Sequence, residues 1–317
     1  MRVGLAVDSA CDLPLAFLEE NNIFVLPITV HINGKSYVDT RDPRRTADFY
    51  RSGMLTKENA AETKAFSSDE IRNLFLEKVV VDYDFAFIET ITQARSQVYS
   101  NTMDAMLRIS GEYRQRRQQA GVEGPFSMRV VNSRTLFAGQ GVLAVETVRM
   151  IRQNVPKNEL RRRVEEITPK VYTYVVAPDI YYLRERARAR GDKSVSWAGA
   201  FLGNLLEVTP IICANDDNTW PVAKIRGFDN AVQKLFANAE QQIRGGLLSP
   251  YICVSYAGDH GMIGQLPGFD SLQRTADAHD VEVLTTMMGI AGGTWVGPGT
   301  VSLGMAAEAN LFESAPN

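Results

Sequence analysis

The chain has little of what a metal, disulfide or membrane protein needs. Histidine occurs three times in 317 residues, as His31, His260 and His279, too sparsely for a histidine-rich metal site. Cysteine also occurs three times, as Cys11, Cys213 and Cys253, which are far apart and include no CxxC pair. An odd number at that spacing excludes a disulfide framework and fits free thiols in a reducing cytoplasm. No apolar run approaches the roughly 18–20 residues of a membrane span, and the N-terminus reads as a strand rather than a signal peptide. An excess of one charge is missing too: a net charge of -3 and a pI of about 5.8 give no pull toward nucleic acid. The expectation is a soluble, cytoplasmic protein without a metal or cofactor. Its length leaves room for two domains, because single cores stop growing at roughly 250–300 residues.

What is present begins with Arg2-Val-Gly-Leu-Ala-Val7, a short apolar run that reads as a buried parallel strand. It stops at Asp8 and Ser9, and Asp12 with Pro14 opens a helix carrying Leu15, Phe17 and Leu18. Ligands of open α/β sheets sit beyond the carboxyl ends of the strands, which puts Asp8 and Ser9 on a functional rim. The same residues also suit plain structural work, Ser9 and Asp12 as helix caps and Asp8 as the tie of a turn.

The run Ile23–Ile32 is a strand with a proline inside, at an edge or a bulge. His31 there reads as a satisfied strand residue, and Asn33-Gly34 turns the chain into a short antiparallel return, Ser36–Asp39. Asp42–Arg51 reads as a solvent-facing helix and Met54–Ala61 as a loop. Ser67 or Ser68, with an acid two or three residues later, starts a helix through Leu74 and Phe75. Thr63 is then placed in the loop ahead of that helix, suited to an anion. After the strand Phe85–Ile88 comes a polar turn, Glu89–Ser96, and a helix with Tyr99, Thr102, Met103 and Met106 at helical spacing. Ser96 repeats the pattern of Ser9, a hydroxyl between a strand end and a helix start. Arg114–Gly124 reads as a solvated helix end and loop.

Ser127–Val131 is the next strand, and Gly139–Gln153 a long helix. Its Gly139-Gln-Gly141-Val-Leu-Ala144 imitates a dinucleotide fingerprint. The glycines lie several residues beyond the strand, however, and no acid ends a following strand, so close helix–sheet packing is the better account. Asn154–Asn158 is a polar break with a proline, which divides the chain into 1–156 and 157–317. Beyond it come the helix Glu159–Ile167, the strand Val171–Val176, and a segment with arginine at every second position from Arg184 to Arg190. Two-residue spacing spreads charge around a helix, as on a solvated element; the alternative is a carboxylate- or phosphate-binding cluster containing Arg186. An apolar helix over Trp197–Leu206, a hairpin from Pro210 to Ile225 and a helix over Asp229–Arg244 follow. Tyr251–Tyr256, a helix over Ile263–Asp280 and Val281–Leu284 make a β-α-β unit. Gly289–Thr300 reads as a glycine-rich loop before a last strand, Val301–Met305.

In order and spacing, several of these pieces resemble the DegV family of bacterial fatty-acid-binding proteins over nearly the whole chain. They are Val7-Asp-Ser-Ala-Cys-Asp-Leu-Pro14, the Thr63 loop, Arg95-Ser96-Gln-Val-Tyr99-Ser100 and Val131-Asn-Ser133. They continue with Leu202-Gly-Asn-Leu-Leu206 with Pro210, Val222-Ala-Lys224-Ile-Arg226-Gly227 and Gly293-Thr-Trp-Val-Gly-Pro-Gly299. The resemblance implies two Rossmann-like α/β domains with a long-chain fatty acid between them. Its carboxylate would be held by a threonine and a serine, matching Thr63 and Ser96, with a histidine in the late glycine-rich loop. In some members the fatty acid is presented to a separate fatty acid kinase, an implied partner.

This chain departs from the pattern in three places. Trp295 stands where the family has the histidine, Lys64 follows Thr63 in place of a serine, and the long Arg184–Ser196 stretch replaces a short Gly-Gly-Arg-Ile. A buried methylene is worth about 0.8 kcal/mol, so a tail of ~16 carbons supplies on the order of 12 kcal/mol gross before binding costs. A hydrogen bond to a charged group adds about 1.5–3 kcal/mol. Loss of the histidine is therefore expected to weaken or re-aim head-group recognition without abolishing apolar binding, and Lys64 or an arginine such as Arg186 can supply the cation. The expected ligand-binding set is Thr63, Ser96, Trp295, Ser9, Asp8, Lys64, Gly297, Gly299 and Arg186, in a non-catalytic lipid carrier. The competing expectation is an enzyme or phosphotransfer component that uses Asp8, Ser9 and Ser96 on a phosphate. No histidine base, Walker lysine or metal cluster accompanies those residues. A nucleic-acid partner is disfavoured by the acidic balance and by arginines without interleaved aromatics.

Overall fold

The structure is a computed structural model that describes residues 1–189, 191, 198 and 208–312. The expected helix over Trp197–Leu206 and the arginine-rich stretch beyond Ala189, apart from Gly191 and Ala198, lie outside the described residues. In chain order, the first elements are β1 (Val3–Asp8), α1 (Leu15–Glu20), β2 (Phe24–Leu26), β3 (Ile28–Ile32), β4 (Lys35–Asp39), α2 (Pro43–Arg51) and β5 (Ala61–Ala65). They are followed by α3 (Ser68–Glu77), α4 (Val79–Asp82), β6 (Phe85–Thr90), α5 (Val98–Gln119), β7 (Ser127–Asn132) and α6 (Phe137–Arg152). The second half contains α7 (Lys157–Ile167), β8 (Val171–Val176), α8 (Tyr181–Ala189), β9 (Val208–Asn215), β10 (Asn218–Arg226) and α9 (Phe228–Gly245). It closes with β11 (Tyr251–Tyr256), α10 (Phe269–Asp277), β12 (Glu282–Met287), α11 (Ile290–Val296) and β13 (Val301–Ala306).

The fold is α/β. The first-half sheet, in the order β2-β1-β6-β7, is parallel throughout. The second, in the order β10-β9-β8-β13-β11-β12, is antiparallel except where β11 and β12 pair. Helix α6 lies between them, with 13 of its residues buried. Such close approach on both sides demands small residues. A Cβ on Gly304 of β13 would come within 2.3 Å of the Ala138 backbone, and one on Gly139 within 2.0 Å of Thr173 Oγ1. The imitation fingerprint is thus a packing motif.

Proline explains two departures from the expected elements. Pro27 does not bulge one strand. It separates β2, the edge of the parallel sheet, from β3, the centre of a small third sheet in the order β4-β3-β5. Likewise Pro267 and Gly268, the latter at φ +91°, break the expected helix over Ile263–Asp280 into a 3₁₀ turn, His260–Gln265, and α10. Helix α2 is not wholly solvent-facing, since Thr46 and Phe49 are buried. Nor is Arg114–Gly124 simply solvated. Arg117 is buried, and its guanidinium donates to the carbonyls of Val80, Tyr83 and Glu123 and to Asp84 Oδ1. All three cysteines are buried. Among the described residues no helix is long and apolar enough to cross a membrane, and no group of three or more His, Cys, Asp or Glu could hold a metal.

Candidate functional site

Thr63 sits on a strand rather than in a loop. Strand β5 pairs antiparallel with β3, opposing Thr63 to Val30, and its alternation turns Ala61, Thr63 and Ala65 inward and Glu62 and Lys64 outward. Trp295 is likewise not in a loop but on α11, and its indole Nε1–H donates to Thr63 Oγ1 at 3.0 Å. An indole nitrogen only donates, so Thr63 accepts this bond and its own hydroxyl proton is directed elsewhere. Ser96 lies between β6 and α5 as expected, where its Oγ accepts from Val98 N–H at 3.3 Å.

Thr63, Arg95, Ser96 and Trp295 line two hollows at once. The inner hollow is otherwise walled mainly by apolar side chains. Ile28, Ile91, Leu136 and Phe137 come from the first half, and Val175, Ile212 and Ala214 from the second. The outer hollow, about 1510 Å³ including open solvent, is a polar recess with Glu62, Lys64, Gln93 and Tyr99 on its rim. The four shared residues therefore form a polar threshold between an apolar interior and the surface. Arg95, absent from the expected set, is the cation at this threshold. Its position in the strand-end loop beside Ser96 was the signal available for it.

The other expected residues are placed differently. Asp8 and Ser9 are buried, and neither caps a helix or lines the inner hollow. Asp8 accepts from the backbone N–H groups of Ala10 and Ile91, and Ser9 Oγ from that of Ile28, tying β1 to the chain entering β3 and leaving β6. Burial pushes the Asp8 carboxyl up to about 7 against those backbone donors. Arg186 donates to the carbonyls of Thr294 and Asn59, binding α8 to α11 and to the segment before β5. Gly297 and Gly299 follow α11 at φ +87° and +78°, and a Cβ on Gly297 would strike the Tyr182 ring.

A buried ionic cluster fixes α11. Asp12, expected at a helix cap, instead forms a 2.9 Å ion pair with Arg41, with side-chain exposures of 0% and 4%. Asp12 also accepts from Ser255 Oγ at 2.6 Å and from Gly289 N–H at 3.0 Å. Asp39 accepts from the backbone N–H of Arg41 and from that of Ala291. Burial pushes both carboxyls upward, and the Arg41 guanidinium and the N–H donors pull them back. The cluster leaves no room for a side chain at position 289, where a Cβ would lie 2.6 Å from Arg41 Nη1.

The family model described as "Uncharacterised protein, DegV family" matches residues 2–308. A DegV domain-containing protein of Xanthomonas axonopodis pv. citri is 42% identical over 314 residues, covering 99% of this chain and 100% of its own. The chain belongs to the DegV family. Solved structures of that fold include a DegV lipid binding protein from Thermotoga maritima, with TM-score 0.76, 20% identity and coverage of 98% and 100%. A stearic acid-binding protein from Eubacterium ventriosum has TM-score 0.76, 19% identity and coverage of 99% and 100%. At these identities the likeness to the DegV structures is one of fold.

Proposed function

We propose that this protein is a non-catalytic carrier of a long-chain fatty acid or similar lipid. The observation that carries the reading is the threshold itself. An apolar interior meets the surface through two hydroxyls, an indole N–H and a guanidinium, the mostly apolar lining with a few placed polar groups that is usual for ligand sites. An amphiphile with a carboxylate at one end has that distribution of polarity. The tail lies between the wall from residues 1–156 and the wall from 157–317, and Thr63 and Ser96 donate to the carboxylate. Arg95 supplies the opposite charge and Trp295 orients Thr63. Lys64 stands on the outer rim, while Asp8, Ser9, Gly297, Gly299 and Arg186 hold the walls rather than the ligand. The family neighbours described as lipid- and stearic acid-binding support this reading.

Phosphotransfer at Asp8 and Ser9 has less support, since backbone N–H groups already engage the Asp8 carboxylate and Ser9 Oγ. Presentation of the carboxylate to a kinase is the finer form of the carrier reading, and the outer recess gives such a partner access to the head group. The test is extraction of the native protein and mass spectrometry of the organic phase. A fatty acid at one per chain is expected. In the Thr63→Ala/Ser96→Ala variant it should be retained on the order of 10²-fold or more less tightly, two charge-assisted hydrogen bonds being lost. A protein that holds no lipid, or a variant that holds it equally well, would refute the assignment.

A further inference from the structure

Phe137 opens α6 at φ +48°, in the left-handed region where a bulky side chain is an outlier. Glycine would adopt that backbone without strain, so the local chain path does not explain an aromatic residue there. The position of the ring does. Phe137 is 5% exposed and lines the inner hollow. The edge of the ring abuts α11 at Gly292, where a Cβ would lie 3.0 Å from Phe137 Cε1 and 3.0 Å from Met288 Cγ. Gly292 lines the same hollow. The ring is thus wedged between the helix that carries Trp295 and the space that an acyl chain would fill.

We infer that Phe137, held in place across from Gly292, is the residue that limits the size of the acyl chain the cavity accepts. This inference rests on the lipid-carrier reading and deepens it. Removing the ring adds room to the hollow. A methyl at Gly292 pushes the ring or Met288 aside and takes room away. The two substitutions should therefore shift chain-length preference in opposite directions, an outcome that general destabilisation does not produce.

The experiment offers an equimolar mixture of saturated fatty acids of graded length to the delipidated full-length protein and weighs the retained chains by mass spectrometry. Phe137→Ala should shift the retained distribution to longer chains, by about fourfold in relative affinity for each methylene newly buried. Gly292→Ala should shift it to shorter chains by a comparable factor, and it keeps the inference testable if Phe137→Ala does not fold. If the wild-type protein takes up none of the mixture, the carrier reading fails, and the inference with it. If the wild type takes up fatty acid and the variants keep its length distribution, or both shift the same way, the role of Phe137 alone is refuted.

Discussion

Replacing Arg41 by methionine would test whether the buried ionic cluster carries the site. The substitution keeps an unbranched apolar stem and removes the guanidinium that pairs with Asp12, leaving Asp12 and Asp39 buried at 1% and 0% exposure. Breaking a buried pair by deleting one partner costs about 3–5 kcal/mol, because the stranded charge has lost both water and counter-ion. At about 2–4 °C per kcal/mol for somewhat smaller proteins, the melting point should fall on the order of 10 °C. The dependence on pH is the sharper readout. Without Arg41, burial raises both carboxyls further above their unfolded values. A group raised in this way stabilises the fold at low pH and loses that contribution as pH rises. The deficit of Arg41→Met should therefore be largest at neutral and alkaline pH and shrink toward about pH 5. Gly289 and Ala291 donate to these two carboxylates, so the same variant should loosen α11 and release bound lipid. Urea unfolding at two pH values, with lipid retention measured in parallel, checks the whole chain of reasoning. A deficit below about 1 kcal/mol at pH 7.5, or one unchanged at pH 5, would refute it.

Two further perturbations are specific enough to measure. Burial pushes the Glu89 carboxyl up to about 8 from 4.5, and among the described residues its Oε2 has no partner while Thr147 donates to Oε1 at 2.5 Å. The raised value means stability that is complete below the unfolded pKa and lost as pH rises to about 8. Glu89→Gln should thus match wild type near pH 5 and exceed it at pH 8.5 by up to about 4 kcal/mol in urea unfolding, and an equal difference at both pH values would contradict this. Trp295→Phe keeps an aromatic wall but removes the indole N–H that Thr63 accepts. It should weaken fatty acid binding about 2–10-fold in a displacement titration, the worth of one neutral hydrogen bond. An unchanged affinity would show that Thr63 needs no orienting partner.

The sequence was most informative where a local rule has a single answer. Ser67 and Glu70 form the expected reciprocal cap, Asn33-Gly34 turns β3 into β4, and the short runs of β1, β6 and β8 are the strands they resemble. It was least informative where the partner lies far along the chain. Ala61–Ala65 contains one β-branched residue and so looks like a loop; it becomes a strand because β3, some thirty residues earlier, offers it a full register of partners. Gly289–Val296 looks like a loop for its glycines. It is helix α11 with Gly289 as its cap, packed so closely that glycine is the residue that fits, against Arg41 at 289, Phe137 at 292 and Tyr50 at 293. Arg117 vanishes into a run of arginine and glutamine, and only the four oxygen acceptors around it make it a core residue. The same limit governs the site. Thr63, Ser96 and Trp295 could be named from short motifs, but Phe137 and the Asp12–Arg41–Asp39 cluster could not. Their meaning lies largely in distant contacts, such as Arg41 to Asp12 across 29 positions and Gly289 to Asp12 across 277, and neither composition nor periodicity encodes those. Residues that touch a ligand can sit in a recognisable local pattern. The residues that hold them in place are selected by packing, and for those the three-dimensional contacts are the only text.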